Sequence, residues 1–244
     1  MLKEINLGEA KWIGTSVKSL PVDIQTEIDF NTDENAVITI GCMGTFKLYV
    51  NGKKVSDDLF LPLNTDFEER YNIEYGDLPF EEKLAHRLYC PYYDITEYLK
   101  DGKNTIDFML APGFYEFYEY GTAKICWKID ITDKNGESRQ TVSDGTEKYK
   151  EIFVKESNMI TGETHDFTAD NTPWQNVTIQ PSPETPLYLQ DCPADKIARV
   201  IKPKYLGNNI YDAGEIMTGY AVLKSTKAQT IIRLLPIART LKNG

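Results

Sequence analysis

The sequence predicts an almost entirely β protein built as a sandwich of two sheets. Apolar and polar residues alternate over residues 46–50, 106–110 and 125–131, which is the pattern of strands with one buried face. Asn51-Gly52 and Asn135-Gly136 follow two of these segments, and such pairs favour tight hairpin turns. Strands at nearly regular spacing, joined by turns of this kind, are typical of sandwiches rather than of parallel sheets with crossover helices.

The remaining elements can be placed around these strands. Residues 36–40 predict the strand that precedes residues 46–50, and residues 138–142 predict the strand that follows the Asn135-Gly136 turn. Thr96 predicts the N-cap of a single helical turn over residues 97–100, and residues 79–88 predict one short helix. The GCMG segment at residues 41–44 predicts a bend inside the strand region.

The composition is that of a globular, acidic protein. The chain has 244 residues, of which 41% are hydrophobic, so it can bury a substantial core. It carries 27 Lys and Arg against 37 Asp and Glu, a formal net charge of -10. A chain of this charge repels phosphate backbones, so we expect no nucleic-acid partner.

The cysteines and the N-terminus bear on the compartment. We interpret the four cysteines as reduced core thiols, since they are far apart and form no CxxC pair: Cys42, Cys90, Cys126 and Cys192. The first residues, MLKEIN, lack the apolar stretch of a signal peptide. No apolar run approaches the roughly 20 residues of a membrane span. We therefore expect a cytoplasmic protein with no membrane association.

A proline-rich stretch predicts the domain boundary. Four prolines lie between residues 180 and 193, and they suit an extended linker: Pro181, Pro183, Pro186 and Pro193. We place the first domain at residues 1–180. Residues 181–244 would hold the linker and the opening strands of a second sandwich, which is too short to fold as a complete one.

No complete enzyme site is recognisable in the sequence. It contains no GxSxG elbow, no phosphate-binding loop and no GxGxxG fingerprint. The two histidines, His86 and His165, have no His or Cys at zinc-ligand spacing. A glycosidase needs two carboxyl groups about 5 to 9.5 Å apart, which sequence alone cannot identify. We assign no catalytic residue.

An ordered series of motifs carries a family resemblance. Its members are KWIG at 11–14, FKLYVNGKKV at 46–55, YDITEYLK at 93–100, GKNTI at 102–106, GETHD at 162–166 and YDAGEIMTGY at 211–220, with Trp174 between the last two. This order resembles the N-terminal region of bacterial alpha-L-rhamnosidases. FKLYVNGKKV and YDITEYLK are also similar to phrases in galactose-binding-like jelly rolls of other glycosidases. GETHD and YDAGEIMTGY, in that order, favour the rhamnosidases.

The resemblance implies a galactose-binding-like jelly-roll sandwich and a second sandwich ahead of a helical barrel. In that family the catalytic acids lie on the barrel, so the implied role of this chain is non-catalytic. The partner implied for it is the C-terminal catalytic barrel of a parent enzyme. For FKLYVNGKKV, YDITEYLK and GKNTI we favour structural roles, as strands, turns and a helix cap, over a role in binding.

Three departures from the family pattern stand out. An acidic, aromatic insertion at residues 67–84 separates LPLNT at 61–65 from HRLY at 86–89. The tyrosine and arginine of the family's GE-x-YDAR correspond to His165 and Thr168, which puts any role of that arginine in doubt. The family's DFGQN corresponds to DAGEI at 212–216.

A glycine-flanked aromatic segment at residues 113–121 is the candidate carbohydrate contact. Aromatic rings can stack on a sugar such as a rhamnoside while carboxylates accept its hydroxyl groups. The candidate residues are Phe114, Tyr115, Glu116, Tyr118 and Glu119. The alternative, which we favour, is a segment that covers the sandwich end or packs against the barrel.

A group of acids around His165 is a candidate calcium site. Some rhamnose-binding modules of the family use calcium, and this cation prefers several oxygen ligands. The candidates are Glu163, Asp166 and Asp170. Turn-capping or solvated roles are the favoured alternative, so we assign no cofactor.

Three functions remain open at the level of sequence. The chain is identified as the non-catalytic N-terminal region of an alpha-L-rhamnosidase-like glycoside hydrolase, which supports the barrel and could contact carbohydrate. The alternatives are a free-standing carbohydrate-binding module and part of a beta-galactosidase-type glycosidase. The first function predicts an exposed docking surface, and hence a homodimer or poor solubility when the barrel is absent.

Overall fold

The computed structural model describes residues 3–64, 67, 87–158, 160–168, 172–217, 219 and 222. Within them the strands are β1 (Trp12–Gly14), β2 (Val22–Phe30), β3 (Glu34–Met43), β4 (Thr45–Val50), β5 (Lys53–Lys54), β6 (Leu88–Cys90), β7 (Tyr92–Asp94), β8 (Gly102–Ala111), β9 (Lys124–Asp133), β10 (Ser138–Val142), β11 (Lys148–Glu151), β12 (Val154–Asn158), β13 (Gly162–His165), β14 (Gln175–Asn176), β15 (Thr178–Gln180), β16 (Leu187–Leu189), β17 (Lys204–Gly207) and β18 (Ile210–Asp212). The helical elements described are α1 (Gly113–Phe117) and a 3-10 turn (Thr96–Tyr98).

Two antiparallel six-stranded sheets form the sandwich, as predicted. The first runs β15-β1-β9-β3-β7, with β10 also paired to β9, and the second runs β14-β11-β2-β8-β4-β5. Each sheet is centred on a long strand pair, β3–β9 in the first and β2–β8 in the second. Glu34 pairs with Asp133 at one end of β3–β9, and Val22 pairs with Leu110 at one end of β2–β8. The observed strands contain every alternating segment on which the prediction rested.

The core lies between the two sheets because each central strand points every second side chain inward. Trp127 on the first sheet and Phe108 on the second have their ring centroids 6.2 Å apart in a stacked arrangement. A smaller buried cluster lies apart from this core and contains Leu7, Trp12, Met43, Leu88, Tyr115 and Cys126. Cys42, Cys90 and Cys126 are buried free thiols.

The helical predictions were less accurate than the strand predictions. Thr96 does not cap a turn over residues 97–100, because it is itself the first residue of the 3-10 turn and its Oγ1 accepts the Ala36 N–H at 2.9 Å. Leu88, the end of the predicted short helix, begins β6, and most of residues 79–88 lie outside the described residues.

The chain divides into two compact units, Met1–Lys196 and Ile197–Gly244. Residues beyond the predicted boundary at 180 belong to the first unit, since β16 pairs in parallel with β6. In the second unit the described residues include the β17–β18 hairpin, in which Lys204 pairs with Asp212.

Candidate functional site

The aromatic segment begins with α1, directly after β8. Gly113 starts this helix with a φ of +59°, a conformation that suits glycine. A Cβ atom on Gly113 would lie 3.0 Å from the Gly44 carbonyl carbon and from the Thr45 side chain. The close approach of α1 to the β3–β4 connection therefore requires glycine at this position.

One side of α1 is anchored by Tyr115. This side chain is 7% exposed and belongs to the smaller buried cluster. Its ring stacks on Tyr120 at 6.0 Å and meets Phe67 edge-on at 5.1 Å. Lys124 Nζ lies 5.9 Å from the Tyr115 ring centroid and donates to the Pro181 carbonyl at 2.8 Å. Tyr115 is thus a core residue of this end of the sandwich.

Glu116 is the second anchor. Its Oε2 accepts the Ser19 N–H at 2.6 Å, and its Oε1 accepts the Ala123 N–H at 2.8 Å. A carboxylate that joins two separate backbone segments in this way satisfies donors that helices and sheets leave unpaired. Both oxygens of Glu116 thereby have structural partners.

The opposite side of α1 presents an aromatic surface, which we define as Phe114, Phe117 and Tyr118. Phe117 is 40% exposed and Tyr118 is 57% exposed. Tyr118 stacks on Phe114 with centroids 5.8 Å apart, and Phe117 meets Tyr118 edge-on at 5.1 Å. Glu119 follows with a positive φ of 63° and an exposed side chain. Of the five predicted sugar contacts, Tyr118 and Glu119 are exposed and Phe114 is half-buried; sugar contact stays a prediction.

The predicted calcium ligands are engaged in local contacts. Glu163 Oε2 lies 2.8 Å from His165 Nε2, and Glu163 Oε1 accepts from Ser157 Oγ at 3.3 Å. Asp166 Oδ1 accepts from both the N–H and the hydroxyl of Thr168, and these bonds lower the pKa of the Asp166 carboxyl. Asp170 lies outside the described residues. In the part of the chain that the structure describes, no three His, Cys, Asp or Glu side chains are grouped to bind a metal.

A pocket that the sequence did not predict lies at the edge of the second sheet. Its volume is about 240 Å³, and it is lined by Asp23, Lys150, Glu151, Ile152, Phe153, Asp166, Phe167 and Thr172. Burial and the charge of Asp107 raise the pKa of the Asp23 carboxyl to about 6, although Lys150 lowers it. Asp23 lies far along the chain from the other lining residues, which fall between 150 and 172, so no local motif combines them.

A second pocket of about 320 Å³ lies around Asp58, Tyr93 and Lys196. The Tyr93 hydroxyl donates to Asp58 Oδ2 at 2.9 Å, and Lys196 Nζ lies 3.3 Å from Asp58 Oδ1. These contacts hold the residues after β16 against the sandwich.

No helix among the described residues is long and apolar enough to cross a membrane.

Comparison with known proteins identifies alpha-L-rhamnosidases among the proteins that resemble this chain. The model of the alpha-L-rhamnosidase N-terminal domain family matches residues 32–79 and 78–205. An alpha-L-rhamnosidase of Formosa agariphila is 24% identical over 298 residues, which cover 100% of this chain and 30% of the relative. Another from the same organism is 25% identical over 189 residues, covering 68% of this chain and 19% of the relative.

Two solved structures share the fold. The alpha-L-rhamnosidase from Dictyoglumus thermophilum matches with a TM-score of 0.67 at 21% identity, over 81% of this chain and 24% of that one. The enzyme from Aspergillus terreus matches with a TM-score of 0.62 at 20% identity, over 77% and 23%. The chain spans less than a third of the length of each of these four proteins.

Proposed function

The chain belongs to the alpha-L-rhamnosidase N-terminal domain family, and from that premise we propose that it is the supporting β-sandwich region of an alpha-L-rhamnosidase, a glycoside hydrolase. Its contribution is to pack the aromatic surface of α1 against another part of that enzyme. The observation that carries the proposal is the two-sided build of α1. Tyr115 and Glu116 fix the helix to the sandwich, while Phe117 and Tyr118 remain exposed.

The geometry favours packing over the recognition of a sugar. A sugar platform presents a flat ring face with hydrogen-bonding groups beside it. Here Phe114 covers one face of Tyr118, Phe117 lies edge-on to it, and the Glu116 oxygens already accept backbone donors. Exposed aromatic side chains grouped in this way are typical of protein interfaces.

The isolated chain offers a direct test. We expect it to self-associate at high concentration in sedimentation velocity, because its aromatic surface lacks a partner. The double substitution Phe117→Ser/Tyr118→Ser should reduce that association. Phe60→Ser is the matched control, since Phe60 is 61% exposed and lies outside α1. Association that persists in the double variant would contradict the proposal.

The same variants can be tested in an alpha-L-rhamnosidase that carries this chain. The double substitution should lower the Tm of the whole enzyme by several degrees, whereas Phe60→Ser should not. The Tm of the 244-residue chain alone should change little, because Phe117 and Tyr118 lie on its surface. An unchanged Tm of the enzyme would show that the surface does not pack within it.

Direct carbohydrate contact by this segment is the second candidate function. It is favoured by the exposed Tyr118 ring beside the exposed Glu119 carboxylate. Titration with L-rhamnose, followed by tyrosine fluorescence, checks it. A fluorescence response that is lost in Tyr118→Ser would support sugar contact. The absence of a response at about 10 mM sugar would count against it, because only very weak binding escapes detection at that concentration.

A further inference from the structure

The pocket at the edge of the second sheet brings together three parts of the chain. Lys150 on β11 pairs with Asp23 on β2 in the strand register. The β12–β13 hairpin follows, and Phe153 before it and Phe167 after it form a second wall. The Asp166 N–H donates to the Phe153 carbonyl at 2.7 Å, which holds the two ends of the hairpin together.

The apolar wall is a stacked pair of rings. Phe153 and Phe167 lie with centroids 5.1 Å apart and an interplanar angle of 15°. His165 meets both edge-on, at 5.4 and 5.8 Å, which fixes their orientation. Phe167 is 72% exposed. The exposed Phe167 ring therefore offers an aromatic surface to a ligand, and Phe153 and His165 hold it in place.

The polar wall carries a donor and an acceptor held a short distance apart. Lys150 Nζ lies 3.9 Å from Asp23 Oδ2, which is longer than a direct hydrogen bond. A hydroxyl group placed between them could accept from the ammonium and donate to the carboxylate. The Trp174 ring centroid lies 4.7 Å from Lys150 Nζ, and this cation–π contact steadies the lysine.

The lining carries three carboxylates and one lysine, so it is weakly acidic, and two ion pairs offset part of that charge. Lys150 faces Asp23, and Lys155 Nζ lies 3.3 Å from Glu151 Oε2. Asp166 is the remaining acid of the lining. A strongly charged ligand would meet a partly neutralised surface, whereas a neutral ligand with several hydroxyl groups would find both donors and acceptors.

From this arrangement we propose that the pocket between β2, β11 and the β12–β13 hairpin binds one neutral sugar ring, with the Phe153–Phe167 pair against its apolar face and its hydroxyl groups between Lys150 and Asp23. The volume of about 240 Å³ suits one ring. It falls below the roughly 300 to 1,000 Å³ of pockets for drug-sized ligands. The site goes beyond the packing role of α1 and uses none of its residues.

Saturation-transfer NMR on the 244-residue chain tests this site, with L-rhamnose and D-galactose as neutral probes. We expect saturable binding with a Kd on the order of millimolar. Phe167→Ala should weaken it at least about tenfold, because the exposed ring contributes to the site and little to the fold. Phe117→Ala on α1 is the matched control and should leave it unchanged.

Each other outcome overturns the site as described. No binding of either sugar at about 50 mM would exclude a useful affinity. Binding lost in Phe117→Ala but kept in Phe167→Ala would place the sugar on α1. Saturation by spermidine or inorganic phosphate, without sugar binding, would show an ion site instead.

If Phe167→Ala does not fold, Phe167→Leu keeps the apolar volume without the ring and must also weaken binding. Self-association through α1 is a separate measurement, so failure of the sugar site would leave the packing role standing.

Discussion

Glu116 lies in a partly exposed segment, but its carboxylate has a structural role. It accepts two backbone N–H groups, from Ser19 and Ala123. In Glu116→Gln the side-chain NH2 must face one of these donors, and the lost charge weakens the other bond. We expect a loss of about 1 to 3 kcal/mol in the free energy of unfolding, measured by urea denaturation.

Glu119→Gln is the control for this measurement, because Glu119 is exposed at the end of the same segment. We expect it to change the free energy of unfolding by no more than about 0.5 kcal/mol. Equal effects of the two substitutions would contradict the anchoring role of Glu116.

Asp23 makes stability depend on pH. Burial and Asp107 raise the pKa of its carboxyl from 3.8 to about 6 in the folded state, so folding favours the protonated form. Below about pH 4 the group is protonated in both states and has no effect. Between about pH 4 and 6 the unfolded state loses this proton while the folded state keeps it, so the free energy of unfolding falls, and the loss is complete above about pH 6. Asp23→Asn should therefore stabilise the chain by about 1 to 3 kcal/mol at pH 8 and by little at pH 4.

Urea midpoints at both values of pH check this expectation. Asp101→Asn serves as the control, since Asp101 is an exposed carboxylate. Stabilisation by Asp23→Asn of the same size at both pH values would show that the gain does not come from ionisation.

At the scale of elements, one buried asparagine joins three of them. Asn104 at the start of β8 is 1% exposed. Its Nδ2 donates to the carbonyls of Lys100 and Gly102, and its Oδ1 accepts from the Lys100 N–H and from Asn51 Nδ2. Asn51 in turn donates to the Tyr98 carbonyl at the 3-10 turn. The VNG and GKN motifs are thus two halves of one hydrogen-bond network.

Asn104→Ala should remove this network and leave buried backbone groups without partners. We expect a loss of about 2 to 4 kcal/mol in the free energy of unfolding, measured by thermal or urea denaturation. The exposed Asn135→Ala, in the other Asn-Gly turn, is the comparison. If Asn104→Ala cost no more than that control, the network would not be what joins these elements.

Elements whose side chains alternate were predictable, and elements fixed by tertiary contacts were not. Along β4 the inward residues Phe46, Leu48 and Val50 are all buried, which is the same period that the sequence displays. The helix α1 has only five residues, too few to show a helical period, and it owes its position to Glu116 and Gly113. The sequence motifs predicted the family, which the family model confirms.

The two candidate sites show the same limit. The aromatic segment could be found because its residues are contiguous, but burial of Tyr115 could not be predicted, since its partners Leu7 and Leu88 are far away in sequence. The sugar pocket could not be found at all. Asp23 and Lys150 are neighbours only because β2 pairs with β11. Phe167 lies beside them because the β12–β13 hairpin returns the chain to this edge.

At the scale of the whole molecule, residues 181–196 belong to the first compact unit and pair with it. Backbone N–H groups of Ile5 and Leu88 donate to Leu187 and Pro186, and the Leu59 N–H donates to Asp195 at 2.8 Å. A chain of residues 1–180 lacks these acceptors and leaves β6 without its partner strand, whereas a chain of residues 1–196 retains both.

We expect residues 1–196 to unfold cooperatively in urea with the midpoint of the sandwich in the full chain. Residues 1–180 should unfold at a clearly lower midpoint, because several hydrogen bonds of about 1 kcal/mol each are lost with the packing of β16. Equal midpoints for the two truncations would instead place the boundary at the proline-rich stretch, where the sequence predicted it.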